Sequence, residues 1–222
     1  MQRFLVIGHR GSPLHAPENT IRSFEAAFQA GADGIETDLR LLSDRVAVLY
    51  HDDDIGEHEI ESLTSRSVAE LGVTVERVRN LAPFARRGTL VLEVKRSKWE
   101  EVLLEEVGSW PGIVIASFDH QLIADVRRRR PDIEVGLTTF GRLLDFPAYA
   151  RRIGATWVFP AYRYVDADMV AALHEAGIRV VPWTPNRPDE WASLRKAGCD
   201  GVITDLPYEA AQWRAAQPSD RL

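Results

Sequence analysis

The chain has little that would staple it, anchor it in a bilayer or hold it on a polyanion. Cys199 is the single cysteine in 222 residues, so no internal disulfide can form and a hydrophobic core must supply the stability. Lysine is scarce: Lys95, Lys98 and Lys196 are the only three among 27 basic residues, the rest being arginine. A hot habitat or a GC-rich genome could each produce that bias, and since the signal of heat-adapted proteomes is lysine and glutamate rather than arginine, the composition does not choose between them. The net charge is −6 and no basic run exceeds Arg127-Arg128-Arg129-Arg130, which argues against a nucleic-acid partner. That run closes at Pro131 and is expected to be a solvated helix end. No apolar stretch reaches the roughly 18 residues that a membrane span requires. Met1-Gln2-Arg3 passes straight into an apolar strand pattern without the features of a signal peptide, so the expected compartment is the cytoplasm.

What remains is an ordinary globular composition, 45% hydrophobic and 27% charged, long enough for one large α/β domain over residues 1–222. Short β-rich runs alternate with longer amphipathic ones. Strands are expected at Phe4–Gly8, Gly34–Leu39, Leu90–Val94, Ile113–Ser117, Glu134–Leu137, Trp157–Pro160, Arg179–Trp183 and Gly201–Thr204. Most are continuous apolar stretches, as strands buried on both faces should be. Helical patterns fill the gaps at Ile21–Ala30, Trp99–Val107, Gln121–Arg130, Ala167–Ala176 and Asp189–Lys196, and Val46–Tyr50 is an extra β-like run.

An internal echo ties these units together. Ala30-Gly31-Ala32-Asp33-Gly34-Ile35-Glu36-Thr37-Asp38-Leu39 parallels Ala197-Gly198-Cys199-Asp200-Gly201-Val202-Ile203-Thr204-Asp205-Leu206, with weaker copies at Ile153-Gly154-Ala155 and Ala176-Gly177-Ile178. Each is a helix closing on glycine and leading into a strand. Repeated βα units make a parallel sheet, and eight of them predict a single (β/α)8 TIM barrel with short loops.

In such a barrel the site lies at the C-terminal ends of the strands. Glu36 and Asp38 stand two apart in one strand and Glu93 and Lys95 in another, so each pair faces one side. Carboxylates flanked by Ile35, Leu39, Leu92 and Val94 are costly to bury without a compensating cation. Glu36, Asp38 and Glu93 together form a hard oxygen site suited to one divalent cation, Mg²⁺, Ca²⁺ or Mn²⁺; the alternative is a salt-bridge network through Arg10 and Lys95. His9 and His51, at adjacent strand ends, fit an acid–base pair, with metal ligation as the competing role. Arg10 and Lys95 suit a phosphate, or else balance the carboxylates. Phe118 and Trp183 either wall a ligand pocket or pack. His15, His58, His120 and His174 are expected at the surface, and Asn19, Thr20 and Asp205 as helix caps.

These residues stand in the order and near spacing of a known family. His9-Arg10-Gly11, Pro17-Glu18-Asn19-Thr20, Gly31-Ala32-Asp33 leading to Glu36-Thr37-Asp38, and His51-Asp52 resemble the glycerophosphodiester phosphodiesterase family, as do Glu93-Val94-Lys95, Ser117-Phe118, Trp183-Thr184-Pro185-Asn186 and Thr204-Asp205-Leu206-Pro207. The resemblance implies a TIM barrel that hydrolyses small-molecule glycerophosphodiesters to glycerol 3-phosphate and an alcohol. It implies Glu36, Asp38 and Glu93 as metal ligands, His9 and His51 as the acid–base pair, and Arg10 and Lys95 on the phosphate. A lysophospholipase D-like activity and a non-catalytic phosphate-binding barrel are the alternatives. One departure stands out: Asp53-Asp54-Ile55-Gly56-Glu57-His58 follows His51-Asp52, and Thr74-Val75-Glu76-Arg77-Val78 arrives early, so the family's insertion subdomain is expected to be largely absent. That leaves an open mouth with little grip on the alcohol side, unless the stretches Phe140–Phe146 or Tyr162–Tyr164 close it.

Overall fold

A computed structural model describes residues 3–217. Counting only the strands that form the barrel wall, these are β1 (Leu5–His9), β2 (Gly34–Leu41), β3 (Thr89–Val94), β4 (Ile113–Ser117), β5 (Glu134–Thr139), β6 (Trp157–Pro160), β7 (Arg179–Val180) and β8 (Gly201–Thr204). The helices are α1 (Ile21–Gln29), α2 (Ser65–Glu70), α3 (Glu100–Val107), α4 (His120–Arg129), α5 (Phe146–Ile153), α6 (Ala167–Glu175), α7 (Pro188–Lys196) and α8 (Pro207–Ala216). All ladders between neighbouring barrel strands are parallel, running β7-β6-β5-β4-β3-β2-β1-β8. The ends of that order meet through the Asp200 N–H on Val180 O (2.9 Å), the Ile203 N–H on Pro182 O (2.8 Å) and a parallel bridge from Trp183 to Ile203. This closes the TIM barrel. β7 is shorter than the expected Arg179–Trp183 because Pro182 has no N–H to donate to the ladder. Pairing resumes at Trp183, which bridges Ala161 and Ile203.

Side chains alternate between two hydrophobic layers. Ile7, Val91, Val114, Ala116, Trp157, Phe159, Val181 and Ile203 fill the barrel interior, with Trp157 and Phe159 stacked at 5.9 Å. The opposite faces of the same strands, Val6, Ile35, Leu90, Leu92, Ile115 and Val135, pack under the helices. The arginine run behaves as a solvated helix end: Arg128 pairs with Asp125, and Arg130 with Asp132. Gly31 and Gly198, at the two best copies of the internal echo, adopt φ of 91° and 94°, the left-handed turn that lets each helix reverse into its strand. Among the described residues no helix is long and apolar enough to cross a membrane.

The stretch between β2 and β3 is short, as expected, yet it is not bare. Ala47–Leu49 pairs antiparallel with β2 and with Glu76–Arg77, and Asp54–Ile55 forms a small hairpin with His58–Glu59. With α2 these enclose a separate apolar cluster of Leu42, Val48, Ile55, Ile60 and Val68. Arg40, at the end of β2, is 2% exposed and clamps the segment. Its guanidinium donates to Glu61 (2.6 Å), Asp53 (2.6 Å) and the carbonyl of His51 (2.8 Å).

Helix α1 carries the loop that presents His9 and Arg10, so its packing bears on the site. Phe24 is fully buried there and meets Phe84 edge-on at 5.9 Å. Phe24→Ala is expected to cost about 3–5 kcal/mol, read as a lower urea midpoint at unchanged slope.

Candidate active site

The parallel register decides which side chains meet. His9 lies opposite Glu36, and Asp38 opposite Glu93. Inward alternation then directs Glu36, Asp38 and Glu93 into the barrel just above Val91. His51 arrives from the segment after Ala47–Leu49, positioned by the Arg40 bond to its carbonyl. All nine residues singled out from sequence, His9, Arg10, Glu36, Asp38, His51, Glu93, Lys95, Phe118 and Trp183, line one cavity of about 230 Å³ at the C-terminal end of the strands.

The turn after β1 is built for close approach. Arg10 takes φ 51° and Gly11 φ 90°. A Cβ on Gly11 would come within 2.7 Å of the Ser23 carbonyl carbon, so α1 can pack there only against glycine. Ser23 clips the turn to α1: its Oγ donates to Arg10 O (2.9 Å) and accepts from Ser12 N (2.7 Å).

The acidic triad has ligand oxygens all within 4.8 Å of one another. Its compensation is uneven. Lys95 Nζ reaches Asp38 Oδ1 at 2.7 Å and also bonds Glu93. Arg10 Nε lies 3.2 Å from Asp38 Oδ2, at an angle outside hydrogen-bond geometry. The salt-bridge network that sequence left as the alternative therefore exists, but it serves Asp38 and Glu93. Glu36 is 4% exposed; it accepts the Arg10 backbone N–H (3.2 Å), and its nearest side-chain cation is His9 Nε2 at 3.9 Å. Burial first, then the charges of Asp38 and Glu93, push its pKa up to about 8. Asp38 is equally buried but held below the usual carboxylate range: burial opposes ionisation, and Lys95, Arg10 and the Asn19 amide more than offset it.

His9 is held in one orientation. Its Nδ1 lies 2.6 Å from Asp205 Oδ1, which fixes the tautomer and turns Nε2 towards the acidic triad. Burial alone would lower the His9 pKa; the Asp205 hydrogen bond and the Glu36 charge outweigh it, and the net shift is upward. Asp205 is itself held by Asn186 Nδ2 at 2.6 Å, while Asn186 Oδ1 accepts from Asp205 N and Thr204 Oγ1, both at 2.9 Å. His51 has a matching but exposed partner, Asp52, at 2.7 Å.

Three cap expectations meet different outcomes. Thr20 caps α1 by accepting from Ser23 N. Asn19 does not cap: at φ 54° it turns inward, donates to Asp38 Oδ2 (2.9 Å) and accepts from Thr37 Oγ1 (2.7 Å). Asp205 does not cap α8 either; that position is Leu206, without a side-chain bond. Capping accounts for an isolated Asn or Asp before a helix, and only the cross-barrel contacts show that these two are engaged elsewhere. His120, expected at the surface, is partly buried and ties α4 to α5 through Tyr149 Oη (2.9 Å) and to β5 through Thr138 O (3.0 Å). His15, His58 and His174 are exposed.

The opposite wall is aromatic. Phe118 and Trp183 meet edge-on at 5.7 Å, with Trp183 Nε1 donating to Phe159 O (2.9 Å). Phe140 and Tyr164, from the two stretches considered as closures, join them: Phe140 lies 6.1 Å from both Trp183 and Tyr164.

Three converging carboxylates, two imidazoles and two fixed cations thus meet at the mouth of a barrel, and the carboxylates are placed so that they could hold a metal ion. Comparison with known proteins gives the family. The model of the glycerophosphoryl diester phosphodiesterase family matches residues 9–110 and 86–209. A glycerophosphodiester phosphodiesterase of Caldanaerobacter subterraneus subsp. tengcongensis is 30% identical over 229 residues, 91% of this chain and 94% of that protein. One from Bacillus altitudinis is 27% identical across 94% of this chain and 97% of its own. Among solved structures, an Oleispira antarctica phosphodiesterase in complex with the product sn-glycerol-3-phosphate superposes with a TM-score of 0.86 at 22% identity, over 96% of this chain and 97% of that one. The chain belongs to the glycerophosphoryl diester phosphodiesterase family.

Asp205→Asn should remove both the orientation and the charge that favour protonated His9. We expect kcat to fall at least about tenfold, short of the roughly 10²–10⁴-fold scale of losing the imidazole itself. The limb of the pH–rate profile that belongs to His9 should move to lower pH, and an unmoved profile would show that Asp205 is structural only.

Proposed function

We propose that this chain hydrolyses glycerophosphodiesters to glycerol 3-phosphate and an alcohol, with the reaction centred on the cavity around Glu36. The observation that carries this reading is Glu36 itself: a buried carboxylate beside two others, left without a strong cationic partner, at the foot of a pocket that also holds two imidazoles, a guanidinium and an ammonium. The donor set, three carboxylates from adjacent strands, fits a hard divalent cation, and Mg²⁺, Ca²⁺ and Mn²⁺ are the candidates. Glu36, Asp38 and Glu93 would hold it. Bound there, it would polarise a phosphoryl oxygen and stabilise the charge that builds during transfer.

The protein's own groups do the rest. Arg10 and Lys95 add positive charge on the phosphate, the first in a planar fork, the second as a point charge. Phe118 and Trp183 wall the substrate. The substrate's glycerol 2-hydroxyl is the nucleophile; it is already tethered to the phosphate it attacks, so little entropy is lost in bringing the two together. One of His9 and His51 takes the hydroxyl proton and the other protonates the leaving alcohol. Their roles reverse when water opens the resulting cyclic phosphate. Asp205 and Asp52 each occupy one ring nitrogen, leaving Nε2 of both imidazoles for proton transfer.

Exhaustive chelation should abolish activity, and added divalent cation should restore it. Cation affinity should weaken as pH drops below about 8, because the ion must displace the proton that Glu36 otherwise retains. Glu36→Gln should bind the cation poorly at every pH. Calorimetric titration of the cation across pH checks both, and full activity in chelator rejects the reading.

A glycerophosphodiester analogue lacking the 2-hydroxyl should bind without turning over. Release of its alcohol at a rate near that of the parent would mean that water attacks phosphorus directly.

A further inference from the structure

The reaction does not use every polar group of the cavity. Seven lining side chains are charged or titratable, and each holds the cation, the phosphate or a proton in the scheme above. Two lining hydroxyls remain, on Thr138 and Thr184. Thr184 is half-buried. Thr138 is 4% exposed, and the surface it keeps is cavity wall. Strand alternation turns Thr138 of β5 inward, while Val135 and Leu137 of the same strand pack under the helices. Its carbonyl is held from outside by His120 Nε2 at 3.0 Å. Its hydroxyl meets no hydrogen-bond partner among the described residues.

β-Branching alone accounts for a threonine in a strand. Valine has the same shape, and Val91 and Val114 fill comparable inward positions of β3 and β4. A threonine at such a place adds a buried hydroxyl, which is costly unless something bonds it. Its neighbours offer nothing: Phe159, its register partner on β6, is a ring, and Val91, Ala116 and Ile203 on the cavity wall are aliphatic. The missing partner is therefore a ligand hydroxyl.

The strand order places β5 across the ring from β1, so Thr138 faces the charged groups from the far wall of a cavity of about 230 Å³. A glycerophosphodiester brings two hydroxyls into that space. The 2-hydroxyl is the nucleophile and belongs to phosphorus and an imidazole. The terminal hydroxyl has no partner on the charged side, and a three-carbon chain carries it away from the phosphate.

We propose that Thr138 determines specificity for the glycerol moiety, its hydroxyl bonding the terminal hydroxyl that neither carries the phosphate nor attacks it. The proposal rests on the phosphodiesterase reading above and names the residue that selects its substrate. A diester without that hydroxyl leaves Thr138 buried and unpaired, and sites built to bond a substrate hydroxyl reject analogues lacking it.

The test compares glycerophosphocholine with the phosphocholine diester of propane-1,2-diol, which keeps the attacking 2-hydroxyl and carries a methyl group in place of the terminal CH2OH. Choline release is measured with the cation-loaded enzyme and with Thr138→Val, Thr138→Ser and Thr184→Val. We expect kcat/KM of the parent protein to be at least about tenfold lower for the propanediol diester. In Thr138→Val the ratio of the two values should fall to within about twofold of one, through loss on glycerophosphocholine. Thr138→Ser keeps the hydroxyl and should retain most of the preference. A packing defect slows both substrates alike and leaves the ratio unchanged, so the ratio separates recognition from structure. Equal kcat/KM for the two diesters in the parent protein overturns the proposal whatever the stability of the variants. So does a preference that survives Thr138→Val, or one that is lost in Thr184→Val instead. Each of these leaves the phosphodiesterase reading standing, whereas failure of the parent protein to cleave either diester overturns both.

Discussion

Burying negative charge inside a barrel is the constraint around which the rest of this molecule is arranged. Glu36 and Asp38 occupy inward positions of β2 that would otherwise carry apolar side chains like Val91 and Val114. An ionised carboxylate there loses its hydration and gains it back only through specific partners. Asp38 has them: Lys95, Arg10 and Asn19 converge on it. Glu36 has little beyond a backbone N–H and a histidine, and retains a proton up to about pH 8. The site thus holds one buried carboxylate that keeps a proton instead of a cationic side-chain partner.

The groups that satisfy this arrangement come from far apart in the chain. Asp205 follows β8 and orients His9 at the end of β1, because those two strands pair side by side. Asn186 follows β7 and holds Asp205. Arg40 extends β2 beyond the barrel and fastens the backbone at His51. Asp205 and Arg40 fix residues that line the cavity and Asn186 fixes Asp205, and such supporting bonds determine whether a site is preorganised or loose.

The mouth of the barrel has two chemical halves. Strands β1 to β3 contribute the charges, and the loops after β4 to β7 contribute the aromatics. The division follows from sequence position: the polar motifs are concentrated in the first half of the chain, while the later βα loops carry Phe118, Phe140, Tyr164 and Trp183. A phosphodiester has the same polarity, an anionic centre with a variable substituent, so the two halves can be tuned separately.

Much of this was legible in the sequence, for a local reason. Strand alternation has a period of two and helix closure on glycine is a short-range event, so the eight βα units, the same-side pairing of Glu36 with Asp38 and the polar strand ends of His9 and Glu93 could be read without a structure. The resemblance to the family's motifs implied roles for them. What local pattern could not supply was any relation across the ring. Asn19 and Asp205 stand before helices, where capping is the simplest reading, and only the fold shows them bonded to Asp38 and His9. Arg40 reads as one more strand residue until the segment carrying Asp53 and Glu61 folds back over it. The unequal compensation of the three carboxylates depends on distances between side chains of three strands, β1, β2 and β3. The apolar rim depends on loops 20 or more residues apart meeting at one end, as Phe118, Phe140 and Trp183 do. Periodicity fixes which way a side chain points along its own strand. Which distant group it meets is set by strand register and ring closure, and those belong to the tertiary structure alone.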